Sequence, residues 1–212
     1  SISNSWSSGT VSAKSGGENM TGGLVGGNYG TINASHSDAI VSSSLFGFGS
    51  SNHAGGLVGW SSSGSITNSH ATGSVTTNYG YYSNVGGLVG ALYADASISG
   101  SFATGNVSAL NLFDNLELGG NAGGLVGWSA GSIYSSYAAG DVYAWGHAST
   151  GPYASTNIHV GGLVGHNRGS IQYSYATGNP VLSTSGGYTY NRVGGLIGYN
   201  TGNIDQAYAS GH

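Results

Sequence analysis

The pentapeptide Gly-Gly-Leu-Val-Gly begins at Gly22, Gly55, Gly86, Gly123 and Gly161, and returns as Gly-Gly-Leu-Ile-Gly at Gly194. The starts are 33, 31, 37, 38 and 33 residues apart. Recurrence at such a period restricts the chain to a stacked array of like units, because self-similarity over 20–50 residues is the signature of a repeat architecture. Ten to twelve residues after each first Gly comes an isoleucine: Ile32, Ile66, Ile98, Ile133, Ile171 and Ile204, with Ile2 opening the chain in the same phase. From each isoleucine the unit reads Ile, two variable residues, Ser or Ala, an aromatic or His, small residues, then Gly. Ile66-Thr-Asn-Ser-His-Ala-Thr-Gly73, Ile98-Ser-Gly-Ser-Phe-Ala-Thr-Gly105 and Ile171-Gln-Tyr-Ser-Tyr-Ala-Thr-Gly178 are the clearest copies. Nine residues after the isoleucine stand Val11, Val41, Val75, Val107 and Val142; at the sixth copy Pro180 takes the place and Val181 follows.

The stretch from the valine to the next Gly-Gly pair varies in length, as insertions on one face of an array do. Short apolar runs flanked by Gly and Ser, β-branched and aromatic enrichment, and no 3.6-residue period read as strands and turns throughout. A unit of about 33 residues has too few apolar side chains to bury a core alone, so neighbours must stack. Like strands then lie about 4.8 Å apart, and Leu24, Leu57, Leu88, Leu125, Leu163 and Leu196 form one column while the seven isoleucines form another. The expected fold is all-β, a parallel β-solenoid (β-helix) of six to seven coils, right-handed by the usual preference of parallel crossovers. Residues 1–212 read as a single repeat domain, a segment of a longer array. Glycine is expected at the corners to supply positive φ and to let backbones approach closely.

Composition removes several alternatives. Of 212 residues 42 are Gly, without the every-third spacing of collagen. Disorder goes with high net charge and few aromatics, whereas this chain has net charge −4 and 11% aromatic residues. Lys14, Arg168 and Arg192 are its only fixed cations, too few to neutralise the phosphates of a nucleic acid or to coat an anionic membrane. No apolar run is long enough to span a bilayer, and the first residues lack a secretory signal pattern, which places any export signal outside this chain.

Six copies of the Gly-Gly-Leu-Val-Gly half, each followed by a Gly-Ser-Ile-x-x-Ser-aromatic-Ala-Thr-Gly-x-Val half, resemble the GLUG-motif repeats of large bacterial surface proteins. Such repeats occur in immunoglobulin-A-specific metallopeptidases and haemagglutinin-like adhesins. The pattern departs at Ala39, where Gly is expected, at Ala91 to Ala96, where the Gly before the isoleucine is missing, and at Pro180. The resemblance implies a secreted or cell-surface bacterial location and a passenger or stalk role, and brings no catalytic residues with it.

Gly127-Trp128-Ser129-Ala130-Gly131 fits Gly-x-Ser-x-Gly, the nucleophile elbow of α/β hydrolases, but that elbow needs a strand-to-helix turn. Ser129 stands instead where other units have Asn28, Asn167 and Asn200, residues suited to turns. The seven His show no metal-ligand spacing; His36 and His70 fall in a column with Trp6, Phe102, Tyr137, Tyr175 and Tyr208, where a neutral imidazole serves as one more flat ring. Asp38, Asp95, Asp114, Asp141 and Asp205 are scattered, unlike the clustered carboxylates of polysaccharide-cleaving β-helices. No cofactor and no enzymatic activity are expected. The column Ser8, Asp38, Thr72, Thr104, Ala139, Thr177, Ser210 is too broken for an ice-binding face.

The variable stretches carry Tyr79, Tyr81, Tyr82, Tyr143, Trp145, Tyr153, Tyr188 and Tyr190 on an uncharged Ser/Asn/Gly background. Such rings suit flat sugar faces or protein partners, since they offer contact area and a polar edge at low entropy cost. They can equally fold back to cover the flank. The expected role is an adhesin or stalk segment binding glycan, a host or sister-cell surface protein, or, as protomer of an extracellular filament, other copies of itself.

Overall fold

The computed structural model describes residues 1–46, 50–80, 82–114, 120–148, 155–185 and 188–211. Every strand pairing among them is parallel and joins equivalent positions of successive units, so the chain is a parallel β-solenoid without helix. Each coil passes through four sheets. The first pass carries the Gly-Gly-Leu-Val-Gly and isoleucine segments: Val58 pairs with Val25 and Val89, and Ile66 with Ile32 and Ile98. The second, of seven strands, carries the aromatic column; the third and fourth, of six strands each, carry the valine column and the segment preceding Gly-Gly.

Two apolar cores follow. Leu57, Leu88, Leu125 and Leu163 are fully buried with Ile32, Ile66, Ile98, Ile133 and Ile171, and the end residues Ile2, Leu24 and Leu196 pack against them half-covered. The second core joins the valine column to Ala54, Val85, Ala122 and Val160, the residues just before each Gly-Gly pair. Pro180 holds the register of Val142 at the start of strand Pro180–Ser185, a position where a missing N–H is tolerated. The unit lacking its glycine folds as one unbroken strand, Val89–Ser99, with Ala96 opposite Gly64.

The glycines act by size. A Cβ on Gly55 would overlap the carbonyl of Val58, and one on Gly56 the carbonyl of Gly87 in the next coil. The second glycine also faces the small residue of the aromatic sheet: a Cβ on Gly87 would lie 2.9 Å from the Cβ of Ala103, and one on Gly124 2.8 Å from that of Ala138. Gly-Gly and Ala-Thr-Gly are thus two halves of one pinch, which is why they recur together.

The expectation that corner glycines supply positive φ holds at Gly9 (94°), Gly64 (81°) and Gly100 (57°) but not at the corner that recurs in every coil. The left-handed residue is the second after each isoleucine: Asn4, Ala34, Asn68, Gly100, Ser135, Tyr173 and Gln206, with φ between 46° and 57°. Only one of the seven is glycine. From Asn4 to Tyr173 the residue's N–H is bonded to the next coil, that of Ala34 donating to Thr67 O, that of Asn68 to Ser99 O and that of Ser135 to Gln172 O. The next residue is the serine of the motif. Its N–H donates to the serine Oγ one coil on, Ser35 to Ser69, Ser69 to Ser101, Ser101 to Ser136 and Ser136 to Ser174, at 3.1–3.2 Å. Each Oγ in turn donates to a carbonyl two residues back. A sharp corner interrupts the backbone ladder, and the hydroxyl restores the lost partner.

Candidate functional site

Three side-chain ladders run outward from the sheets. On the aromatic sheet Trp6, His36, His70, Phe102, Tyr137, Tyr175 and Tyr208 stack one above another. From His36 to Tyr208 their centroids are 4.7–5.1 Å apart and their planes within 7° of parallel. His36 and His70 take their places as rings of this stack, as expected. Burial, then the His36 charge, holds His70 below the usual imidazole range against a smaller opposing effect of Asp38.

A second line lies outside the Gly-Gly-Leu-Val-Gly strands. The residues two after each Val or Ile of the motif stand in register, giving the column Gly27, Trp60, Ala91, Trp128, His166, Tyr199. Where the column has Gly27 and Ala91, the ring is supplied two residues further on. Tyr29 and Tyr93 set their edges against Trp60 at 5.1 and 5.5 Å, and Tyr93 lies 5.1 Å from Trp128.

The third ladder is polar and lies on the fourth sheet, two residues before the last five Gly-Gly pairs: His53, Asn84, Asn121, His159 and Arg192, with Met20 in the place before the first. Arg192 Nη1 reaches His159 Nε2 at 2.9 Å, and since guanidinium can only donate, that nitrogen accepts. His159 Nδ1–H therefore donates to Asn121 Oδ1 at 2.8 Å, and Asn121 Nδ2 to Asn84 Oδ1 at 2.8 Å. Asn84 Nδ2 donates to His53 Nδ1 at 3.1 Å, which leaves the proton of His53 on Nε2, 4.0 Å from Glu18 Oε1. The ladder is directed from the guanidinium toward the carboxylate. Both imidazoles are kept neutral. Burial pushes His53 down to about 4, and burial, then the charges of His166 and Arg192, pushes His159 to about 4. His166, packed between His159 and Tyr199, is likewise held at about 4 by burial and then by Arg168 and Arg192.

Between the polar ladder and the aromatic line runs an open groove of about 250 Å³. Its floor is His53, Asn84 and Asn121; Tyr82, Tyr93 and Trp128 are ring walls, and Ser51 and Glu18 stand at one end. Of the eight rings singled out in the sequence, Tyr82 lines this groove. Tyr143, 40% exposed, and Trp145 lie within strand Val142–Ala148 of the valine sheet, and Tyr190, 66% exposed, follows strand Tyr188–Thr189. The backbone of Tyr79 belongs to strand Val75–Gly80 and that of Tyr188 to Tyr188–Thr189, while Tyr81 and Tyr153 lie outside the described residues. Sequence reasoning passed over Trp60, Tyr93 and the Asn/His ladder. Their signal was a fixed offset from Gly-Gly combined with residue types that change from coil to coil.

Ser129 is fully buried, in register with Asn167 and Leu92, and its hydroxyl bonds the carbonyl of Gly131 at 3.5 Å. It is a turn residue, like Asn28 and Asn167, whose Oδ1 atoms accept from Gly30 N–H and Gly169 N–H. Among the described residues no three metal-ligating side chains come together.

Comparison with known proteins found no match among curated proteins and none among solved structures. Residues 50–76, 81–108, 156–179 and 189–212 match the family model described as the GLUG motif. Each matched stretch contains a Gly-Gly pair and its isoleucine, and the units starting at Gly22 and Gly123, outside these stretches, hold the same register. Four GLUG motifs are thus set into one continuous ladder of strands.

Proposed function

We propose that this solenoid is a non-enzymatic segment of an extracellular, cell-surface protein, working as an adhesin or stalk. The observation that carries the reading is the outward aromatic line Tyr29, Trp60, Tyr93 and Trp128, a stripe of rings along a chain with only 5% charged residues. A stripe of that kind attracts partners by ring stacking, apolar burial and neutral hydrogen bonds, the contacts that glycans and protein surfaces share. Repetition multiplies it, because every added coil extends the same flank. Binding to immobilised cell-surface glycans and proteins, measured at low and at high salt, tests this reading. Retention at high salt supports it, since screening barely touches such contacts. Binding that collapses with salt, or that is absent from every such surface, refutes it.

A second reading, protomer of an extracellular filament, draws on rings away from that line: Tyr143 and Tyr190 stand exposed and are suited to lateral contact. Electron microscopy of the purified protein separates the two. Filaments that disappear when Tyr143 and Tyr190 are both changed to Ser support assembly, and a dispersed monomer refutes it.

A further inference from the structure

Resting on the adhesive reading above, we propose that the groove between the polar ladder and the aromatic line is a saccharide site, selective for a neutral, hydroxyl-rich sugar. The first argument is the unspent bonding capacity of its floor. An asparagine amide has two N–H donors and an oxygen with two lone pairs, and the ladder uses one donor and one lone pair of Asn84 and of Asn121. Each amide therefore keeps one donor and one acceptor side by side. Asn121, only 9% exposed, lines the groove, so a ligand seated there is within reach of its remaining capacity. A paired donor and acceptor is what a sugar hydroxyl, itself both, can satisfy at once.

The walls supply the other half of sugar chemistry. Tyr82, Tyr93 and Trp128 line the groove, and the C–H face of a pyranose packs on aromatic rings while its hydroxyls turn to the floor. Glu18, 54% exposed at the end of the groove, adds an acceptor that takes strong hydrogen bonds from hydroxyls. Because Asn84 and Asn121 belong to successive coils, their amides repeat at the strand spacing of about 4.8 Å, and a bound chain lies along the solenoid axis, across the strands.

Charge decides against the other small ligands. Among the described residues Glu18 is the one charged residue lining the groove, so an anionic ligand meets a carboxylate there and no described cation. A quaternary ammonium would find three rings and a carboxylate, an arrangement that cations favour. Having no N–H or O–H of its own, however, it can pair with neither the donor nor the acceptor that each asparagine keeps, whereas a sugar hydroxyl uses both.

The experiment is titration of the intact chain with neutral oligosaccharides of several sugar types, with uronate or sialylated oligosaccharides, and with choline. The measurements are isothermal calorimetry and NMR of the Trp128 indole N–H. The expected result is a neutral sugar bound with Kd of about 1 mM or tighter, a range ordinary for weak sites. The Trp128 signal should shift on binding, and Tyr93→Ala should weaken affinity at least tenfold. Tyr143→Ala, on the valine sheet, should leave it unchanged. Where Tyr93→Ala lowers the melting temperature, the wild-type Trp128 shift and Tyr82→Ser decide instead. Choline binding in preference to sugars, sugar binding with an unmoved Trp128 signal, or no sugar binding overturns the proposal. Adhesion to a protein surface that survives Tyr93→Ala and Tyr82→Ser overturns it too, and leaves the adhesive reading standing.

Discussion

Arg192 Nη1 donates to His159 Nε2 at 2.9 Å, and this one contact sets the direction of every side-chain hydrogen bond from the fifth rung of the polar ladder to His53. Fixing an acceptor at one end leaves one proton arrangement for the remaining amides and imidazoles. Nitrogen NMR of the histidine rings should find His159 as the Nδ1–H tautomer and His53 as the Nε2–H tautomer. The opposite pair would mean that the ladder runs the other way.

The same neutrality makes stability depend on pH. His53, His159 and His166 titrate near 4 in the fold and near the ordinary 6.5 once unfolded, so the unfolded state takes up protons first as pH falls. Stability is full above 6.5, is lost between 6.5 and about 4, and levels off below. For buried His53 alone the whole loss is about 3 kcal/mol. Urea midpoints compared at pH 7.5 and 4.5 should drop clearly at the lower value, and equal midpoints would contradict neutral burial.

Leu125 is fully buried in the first core, between the equally buried Leu88 and Leu163. Leu125→Ala should cost about 2–5 kcal/mol, the range for truncating a buried leucine. A denaturation midpoint equal to that of the unmodified chain would place the leucine column on the surface.

The serine ladder gives a loss and a gain. Ser136→Ala removes the acceptor of the buried Ser101 N–H and should cost about 1–3 kcal/mol, the desolvation of an orphaned donor. At the last coil Ala207 offers no hydroxyl to Ser174, and Ala207→Ser should add about 0.5–1.5 kcal/mol. If both substitutions leave the unfolding midpoint in place, the hydroxyls are not closing the corners.

Ala34 holds φ at 47° with a Cβ that this conformation disfavours. Ala34→Gly relieves that strain while adding freedom to the unfolded chain, for a net gain of about 0.5–1 kcal/mol. A lower melting temperature for this variant would show that the corner is unstrained.

The leucine, isoleucine, valine and aromatic columns were legible because each repeats one residue class at one offset, and stacking turns such an offset into a column without further information. The left-handed corners were not, because Asn4, Ala34, Tyr173 and Gln206 share a backbone conformation and no side-chain property. Asn4, Ala34 and Tyr173 share instead an N–H bonded to a carbonyl of the next coil. The glycines misled for the related reason that glycine serves both positive φ and close approach, and only the distance from Gly87 to Ala103 tells which applies. The groove was hidden because its parts are complementary: Asn84 and His53 share a rung position without resembling each other. Tyr82 was found as an aromatic, and its partners Asn84 and Trp128 were not.

The pinch of Gly-Gly against Ala, the serine corner and the ring stack hand every coil the same fittings above and below. A gene encoding this chain can therefore gain or lose a whole unit by unequal recombination and still yield a chain whose seams close. The line from Arg192 to Glu18 obeys a different rule, since His53, Asn84, Asn121 and His159 each fit a particular neighbour. Shuffling those units would keep the scaffold and scramble its lettering, so selection acting on the groove would be visible as a preserved order of repeats.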